Sequence, residues 1–266
     1  MIRKIHAFLA LILLSFISNP LSAETVTINI KDFLFDPGSK TINLGDSVKW
    51  VNQDSFAHTS TSDTNLWDSK NLSSGASFTR LFDKAGKFTY HCHIHPDMTG
   101  TIIVRTAEQA RIKLGKDIIT ANPKQLPIKL NLAGKNTDQV YLGSYIVNAQ
   151  GACADCHSCP TYAEGHDPYK GEPKQFNTAG YLSGGRAFGP FTSANITPDS
   201  TGKPAGITLA QFKNLLRTGH DPHAPENILQ VMPWPIYGMM SDHDLDAVYT
   251  YLKSIPPLPT PAANCN

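Results

Sequence analysis

The string Cys153-Ala154-Asp155-Cys156-His157 constrains this chain more than any other feature of its sequence. Two thiols at Cys-x-x-Cys spacing, followed directly by a histidine, form the attachment signature of c-type haem. The thiols can add to the haem vinyl groups, and the histidine is then placed to ligate the iron from one side. A thioredoxin-like redox pair would not explain His157 and would need a strand-to-helix setting. The sequence therefore predicts one covalently bound haem c.

The iron of such a haem needs a second axial ligand, and methionine is a common one in electron-transfer cytochromes. Met232, Met239 and Met240 all follow the signature. Met232 lies with Pro233 and Trp234 in a loop, whereas the other two adjoin the start of the last predicted helix and could be core or cap contacts. The alternatives are four histidines that are more typical of ordinary loop or helix residues: His166, His220, His223 and His243.

A second group of metal-binding side chains lies in the first half of the chain. Cys92, His95 and Met98 stand at Cys-x-x-His-x-x-Met spacing, where a predicted strand ends in a tight loop. His58, further upstream, can supply a second imidazole. A thiolate, two imidazoles and a weak axial thioether make a copper site that transfers electrons. We therefore predict type 1 copper here, in preference to a structural cysteine near unrelated histidines.

Residues 24–105 carry short runs of alternating apolar and polar side chains between turn residues, which predicts an all-β sandwich. This region resembles the cupredoxins, especially amicyanin and pseudoazurin. The matching segments, besides the ligand loop, are 31–37, 45–50 and 100–104. The resemblance implies a Greek-key sandwich with one copper ion. The family's ligands carry over to His58, Cys92, His95 and Met98.

His91 and His93 flank the cysteine, as they do in multicopper oxidases, where such histidines bind a separate copper cluster. Strand alternation places Cys92 on one face and both histidines on the other. That cluster needs ligands from a second cupredoxin domain, for which this chain gives no signal. We favour two solvated or packed histidines, and a second metal or an electron path outward from Cys92 stays open.

Residues 138–257 have a helical pattern. A first helix leads into the haem signature, Thr208 caps a second, and Ser241 with Asp244 begins a third. Between the first two helices lies a loop, 165–206, that is rich in glycine and proline. A loop of that length in a compact domain usually wraps something.

This helical region resembles the class I cytochromes c that serve as electron-carrying subunits of membrane-associated alcohol and sugar-acid dehydrogenases. The matching pieces are 153–157, 184–185, 195–199, 217–219, 232–234 and 241–245. The resemblance implies an all-α domain. In that family the methionine of a Met-Pro pair is the axial ligand of the iron, and this role carries over to Met232.

The N-terminus is typical of an export signal. Arg3 and Lys4 precede an apolar run, 7–17, and small residues end at a predicted cleavage site before Glu24. No other segment is long and apolar enough to span a bilayer. We therefore expect a periplasmic protein with no integral membrane segment after cleavage. Export also favours a disulfide between the remaining cysteines, Cys159 and Cys265, over two unpaired or intermolecularly paired thiols.

These features predict a signal peptide (1–23), a cupredoxin domain (24–105), a linker that packs partly on one or both domains (106–137), a cytochrome c domain (138–257) and a tail (258–266). The formal net charge of +1 gives no indication of nucleic-acid binding.

Both predicted centres are closed by protein ligands, so we expect an electron carrier rather than an enzyme. Its expected partners are a redox donor and acceptor, for example a periplasmic dehydrogenase, a reductase or a terminal oxidase. Two alternatives remain open: a haem- or copper-based redox enzyme that acts on a small molecule, and a periplasmic copper-handling protein.

Overall fold

The computed structural model describes residues 23–120 and 126–261. The chain divides into two compact units, the first ending at Thr106 and the second beginning at Ala107. The predicted signal peptide lies outside the described residues except for its last residue, Ala23.

The first unit consists of eight strands in two sheets. The strands are β1 (Thr25–Lys31), β2 (Leu34–Asp36), β3 (Ser39–Asn43), β4 (Ser47–Asn52), β5 (Thr61–Ser62), β6 (Ser77–Leu81), β7 (Gly86–His91) and β8 (Thr99–Arg105). One sheet has the order β2-β1-β4-β6 and the other β3-β8-β7-β5. The pairs β1–β4 and β3–β8 are parallel, whereas all other pairs in these sheets are antiparallel.

The two sheets bury their facing side chains in one core, as the alternating pattern requires. On β4, residues of even number are buried, and Trp50 is fully inaccessible. Its ring packs against Trp67, Phe78 and Tyr90 at centroid distances of 5.9, 5.8 and 5.4 Å. The predicted β-sandwich is confirmed for this unit.

The second unit is mainly helical. Its helices are α1 (Ala107–Thr120), α2 (Thr137–Tyr145), α3 (Cys153–His157), α4 (Leu209–Thr218), α5 (Trp234–Tyr237) and α6 (Asp242–Leu252). A π-helical turn, Ile146–Gln150, continues α2. The predicted caps are confirmed: Thr208 forms a capping box with Gln211, and the Ser241 hydroxyl accepts the backbone N–H of Asp244.

Helix α1 lies within the segment that we expected to be a linker. An alanine Cβ at Gly115 would stand 1.7 Å from the Tyr141 carbonyl oxygen of α2, so the two backbones are in close contact. The Ser144 hydroxyl also donates to the Gly115 carbonyl at 3.0 Å. Ala110 and Gly115 are the buried residues of this helix, and Ile112, Ile118 and Ile119 pack, partly buried, against the core of the second unit. Residues from Ala107 onward therefore belong to the second unit.

Helices α2 and α6 also cross at a glycine. A Cβ at Gly143 would meet the Ala247 carbonyl oxygen at 2.0 Å and the Tyr251 Cβ at 2.6 Å. The crossing buries Val140, Leu142, Leu245 and Tyr251 in the core of the unit.

The second unit also contains two short antiparallel pairs that the all-α prediction did not include. Strand β9 (Ala187–Phe188) pairs with β10 (Phe191–Thr192), and β11 (His220–Asp221) pairs with β12 (Ala224–Ile228). In the described parts of the chain, no helix combines the length and apolar character needed to cross a membrane.

Candidate copper and haem sites

One end of the first unit gathers the predicted copper ligands. Cys92 directly follows β7, His95 and Met98 lie in the turn before β8, and His58 lies in the loop between β4 and β5. The turn closes on itself, because the Met98 N–H donates to the His95 carbonyl at 2.9 Å and the Cys92 N–H to the Met98 carbonyl at 3.0 Å. The His58 backbone pairs with Leu72 through an isolated bridge.

The ligand atoms of three of these residues converge. The Cys92 sulfur lies 3.8 Å from His58 Nδ1 and 3.6 Å from His95 Nδ1, and the two nitrogens are 3.1 Å apart. His58 and Cys92 are fully buried. One thiolate and two imidazole nitrogens around a common centre are the trigonal set of a blue-copper site, so the residues fit this metal. Met98 is buried in the same turn, and its axial role stays a prediction.

Neighbouring groups hold the ligands in place. The Thr59 N–H points at the Cys92 sulfur at 3.3 Å, and the Thr59 hydroxyl accepts the His93 N–H at 2.7 Å. Burial, with the nearby His95 ring, lowers the pKa of His58, so the imidazole is neutral and free to ligate. Such outer contacts orient metal ligands and tune the metal. The sequence spacing of the ligands gave no indication of these contacts.

A carboxylate, Asp54, is the further partner of His58, at 3.0 Å from Nε2. Burial raises the pKa of Asp54, but the backbone N–H groups of Phe33 and Asp32 lower it, as does His58. The net result is a lowered pKa, so the group is a carboxylate at neutral pH.

Asn52 supports the loop that carries His58. Its fully buried amide donates to the carbonyls of Phe56 at 2.7 Å and Leu72 at 2.8 Å, and its oxygen accepts the Asp54 N–H at 3.0 Å. Replacing Asn52 with alanine removes the partner of the Phe56 carbonyl and of the Asp54 N–H, while the Leu72 carbonyl keeps the His58 N–H at 3.1 Å.

We expect Asn52→Ala to destabilise the first unit by about 2 kcal/mol, since each unsatisfied buried group costs roughly 1–3 kcal/mol and the two groups that lose a partner are partly buried. Denaturant unfolding followed at the copper absorption measures this loss. The control is Gln53→Ala, which removes an exposed amide with one side-chain partner, Asn29. Equal unfolding midpoints for the two variants would contradict the role given to Asn52.

His91 and His93 lie outside the copper cluster. His91 Nδ1 is 2.6 Å from an Asp63 carboxylate oxygen, and His93 is exposed. Within residues 23–120 and 126–261, the single group of three potential metal ligands consists of His58, Cys92 and His95. The arrangement favours the interpretation of His91 as a side chain packed on Asp63 and of His93 as a solvated one.

The predicted haem-binding residues form the one-turn helix α3. Cys153 and Cys156 are free thiols, as addition to vinyl groups requires. Burial raises the pKa of Cys153 to about 12, and burial with the Asp155 charge raises that of Cys156. Dithiol oxidoreductases need the opposite shift. His157 Nδ1 lies 2.8 Å from the Ala194 carbonyl, which accepts its proton and leaves Nε2 as the ligand atom. These residues fit a c-type haem.

Several contacts fix this segment within the second unit. The Arg186 guanidinium donates to the Asp155 carbonyl and, at 3.0 Å, to the Thr161 hydroxyl. The Gly184 N–H donates to the His157 carbonyl at 2.7 Å. Arg186 and Gly184 belong to the long loop, which therefore packs on the haem signature.

Met232 lies in the loop before α5 and packs, half-buried, against the core of the second unit. At the end of α5, the Tyr237 hydroxyl donates to the Gly151 carbonyl, next to α3, at 2.7 Å. This contact brings the Met232 segment to the haem-binding side. Met239 is 84% exposed, which disfavours it as a ligand. The axial role of Met232 stays a prediction.

The rival histidines are engaged in other contacts. His166 and His220 bond to the carbonyls of Glu164 and Pro225, His223 to that of Ala205, and His243 to the side chains of Gln139 and Glu108. Cys159 is disulfide-bonded, whereas Cys265, its expected partner, lies outside the described residues.

A β-sandwich with a His-Cys-His cluster at one end is typical of a class of proteins with a single copper site, the cupredoxins. Residues 4–104 match the family described as Cupredoxin-like domain. The plastocyanin of Synechococcus is 32% identical over 109 residues, which cover 34% of this chain and 80% of the plastocyanin. Through its first unit, the chain belongs to the cupredoxin family. A solved copper(I) amicyanin variant is 20% identical, with a TM-score of 0.30 over 30% of this chain and 82% of the amicyanin.

The chain is also similar to a different kind of protein. The gluconate 2-dehydrogenase cytochrome c subunit of Pantoea cypripedii is 31% identical over 116 residues, which cover 44% of this chain and 23% of that subunit. The chain thus spans less than a quarter of the length of this relative. The likeness partly supports a fusion of a cupredoxin with a cytochrome unit.

Proposed function

We propose that this protein is an exported, periplasmic electron carrier that passes single electrons between a type 1 copper and a haem c, and on to redox partner proteins. The convergence of His58, Cys92 and His95 carries the proposal, because it forms a redox site inside a cupredoxin unit. Copper and haem iron, when bound, each supply a one-electron couple.

On the copper side, the chain provides a rigid and closed site. His58, Cys92 and His95, together with Met98 from the same turn, would hold the copper ion. Because the ligands are held by the β7–β8 turn and by buried loops, the site changes charge with little rearrangement. His95 is the ligand nearest to the surface, since it is half-buried while His58 and Cys92 are inaccessible. We assign the exchange of electrons with a partner to this edge.

On the haem side, Cys153 and Cys156 would attach the porphyrin, and His157, through Nε2, and Met232 would ligate the iron. The likeness of the second unit to a dehydrogenase cytochrome subunit supports a periplasmic dehydrogenase as one redox partner. A reductase or a terminal oxidase is the proposed class for the other partner.

The optical spectrum of the holoprotein tests the proposal. We expect an intense thiolate-to-copper band together with a low-spin, six-coordinate haem spectrum in both oxidation states. One-electron reduction should then be followed by transfer between the centres within one molecule. Absence of the thiolate band, or of any transfer between the centres, would overturn the proposal.

We expect Met232→Ala to open the haem iron, so that the reduced variant binds carbon monoxide while the wild-type protein does not. Titration with carbon monoxide, followed in the Soret band, measures this difference. The control is Met239→Ala, which changes an exposed methionine and should behave as wild type. Ready binding by the wild-type protein would instead support the alternative function, a haem enzyme that acts on a small molecule.

A further inference from the structure

The Asp54 carboxylate joins a copper ligand to a neighbouring turn. Its Oδ2 accepts from His58 Nε2 and from the Phe33 N–H, both at 3.0 Å, and its Oδ1 accepts the Asp32 N–H at 2.8 Å. The side chain is only 12% exposed. Asp54 therefore lies between the copper cluster and the turn that connects β1 to β2.

That turn has an unfavourable backbone conformation. Asp32 and Phe33 are successive non-glycine residues with φ angles of 53° and 58°. The left-handed region is unfavourable for such residues, because the Cβ comes too close to the following carbonyl oxygen. Two hydrogen bonds to a charged acceptor offset this cost, because charge-assisted bonds are stronger than neutral ones.

The turn places an aromatic ring on the copper ligands. The Phe33 ring packs edge-on against His58, at a centroid distance of 5.4 Å, and against His95, at 5.0 Å. Phe56 packs beside it at 5.4 Å. Both imidazoles are thus covered by a ring whose backbone is held by Asp54.

We propose that Asp54 is a positioning residue of the copper site, which fixes the His58 imidazole and the Phe33 ring together and favours the oxidised metal. This inference rests on the proposed function. The carboxylate holds the proton of Nε2, so the lone pair of Nδ1 faces Cys92 and His95. Its negative charge lies one imidazole away from the metal position. It therefore stabilises the more positive, oxidised state.

The test is Asp54→Asn in the full-length holoprotein. The variant keeps the size of the side chain but loses the charge. Mutation of an outer partner of a metal ligand typically lowers metal affinity or activity 10–100-fold. Here we expect the loss of affinity to fall mainly on copper(II), because the carboxylate charge stabilises that state more. At the lower end of that range, the preference for copper(II) over copper(I) should fall by about tenfold, which raises the potential by roughly 59 mV for one electron. The control is Asp97→Asn, which removes an exposed charge two residues from His95 and should give a much smaller change.

A second variant distinguishes two roles of Asp54, positioning of the His58 imidazole and support of the β1–β2 turn. Asp32→Gly relieves the backbone cost at one of the two residues, and in the Asp54→Asn background it should recover thermal stability. The potential should stay shifted. The His58 Nε2–H resonance of the copper(I) protein should also exchange faster with solvent than in wild type. A potential that returns to the wild-type value with Asp32→Gly would overturn the inference, since Asp54 would then act only on the turn.

Failure of this inference is distinguishable from failure of the proposed function. Wild-type protein with a thiolate-to-copper band, and an Asp54→Asn variant with the same potential, would refute the positioning role alone. Wild-type protein without the band would refute the copper function itself.

Discussion

Cys92→Ser abolishes the thiolate-to-copper band and reduces copper binding, while the haem spectrum stays unchanged. The band arises from the sulfur, so a hydroxyl in its place cannot produce it. Loss of an outer partner already costs about 10–100-fold in metal affinity, and loss of the thiolate itself should cost more. The haem ligands belong to the second unit, which has its own core. Absorption spectra and a copper titration of the variant measure both effects.

The Cys92→Ser variant should fold, because serine is similar in size and its oxygen can accept the Thr59 N–H that now points at sulfur. The matched control is His93→Ala, which changes the adjacent exposed residue and should keep the band. A copper-loaded Cys92→Ser protein with an undiminished band would show that the metal is bound elsewhere. Loss of the band in His93→Ala would bring back a ligand role for that histidine.

Gly143→Ala lowers the stability of the second unit, although alanine is the better helix former. The propensity gain is about 1 kcal/mol. The new Cβ, however, would lie 2.0 Å from the Ala247 carbonyl oxygen. This clash can be relieved only if α2 and α6 separate. Overpacking of this kind costs typically 1–3 kcal/mol and occasionally more. Because the clash involves backbone rather than a flexible side chain, we expect its cost to exceed the gain in helix propensity.

Thermal unfolding followed at the haem absorption measures the effect. Each kcal/mol corresponds to about 2–4 °C in Tm for a domain of this size, so a fall of roughly 5 °C is expected. The control is Thr137→Ala, which changes an exposed residue at the start of the same helix α2. An unchanged Tm for Gly143→Ala would mean that the two helices can separate without cost.

The copper site could be predicted well from sequence because most of its ligands are local. Cys92, His95 and Met98 lie within one turn, so their spacing carries the geometry. His58 was found by its residue type. Asp54 was not found. It contacts His58 within an irregular loop, and its contacts with Asp32 and Phe33 of the β1–β2 turn join positions that are distant in the sequence. No local pattern indicates such a contact.

The helices show the same division between local and tertiary signals. Capping residues such as Thr208 and Ser241 lie in the sequence beside the helices that they begin, so α4 and α6 could be predicted. Helix α1 could not, because its closest packing is at the small residues Ala110 and Gly115, and its large apolar residues Ile112, Ile118 and Ile119 are only partly buried. The contact with Tyr141 lies 26 positions away along the chain and becomes visible only in the fold.

The disulfide at Cys159 bears on the maturation of the protein. Cys156 stands three positions from Cys153 on one side and from Cys159 on the other, so both neighbours compete for it under oxidising conditions. A disulfide from Cys156 to Cys153 or to Cys159 would consume a thiol that the porphyrin requires. In the folded protein, Cys153 and Cys156 are free while Cys159 is already engaged in a disulfide. The disulfide at Cys159 therefore excludes one of the two competing bonds and leaves Cys156 free for the prosthetic group.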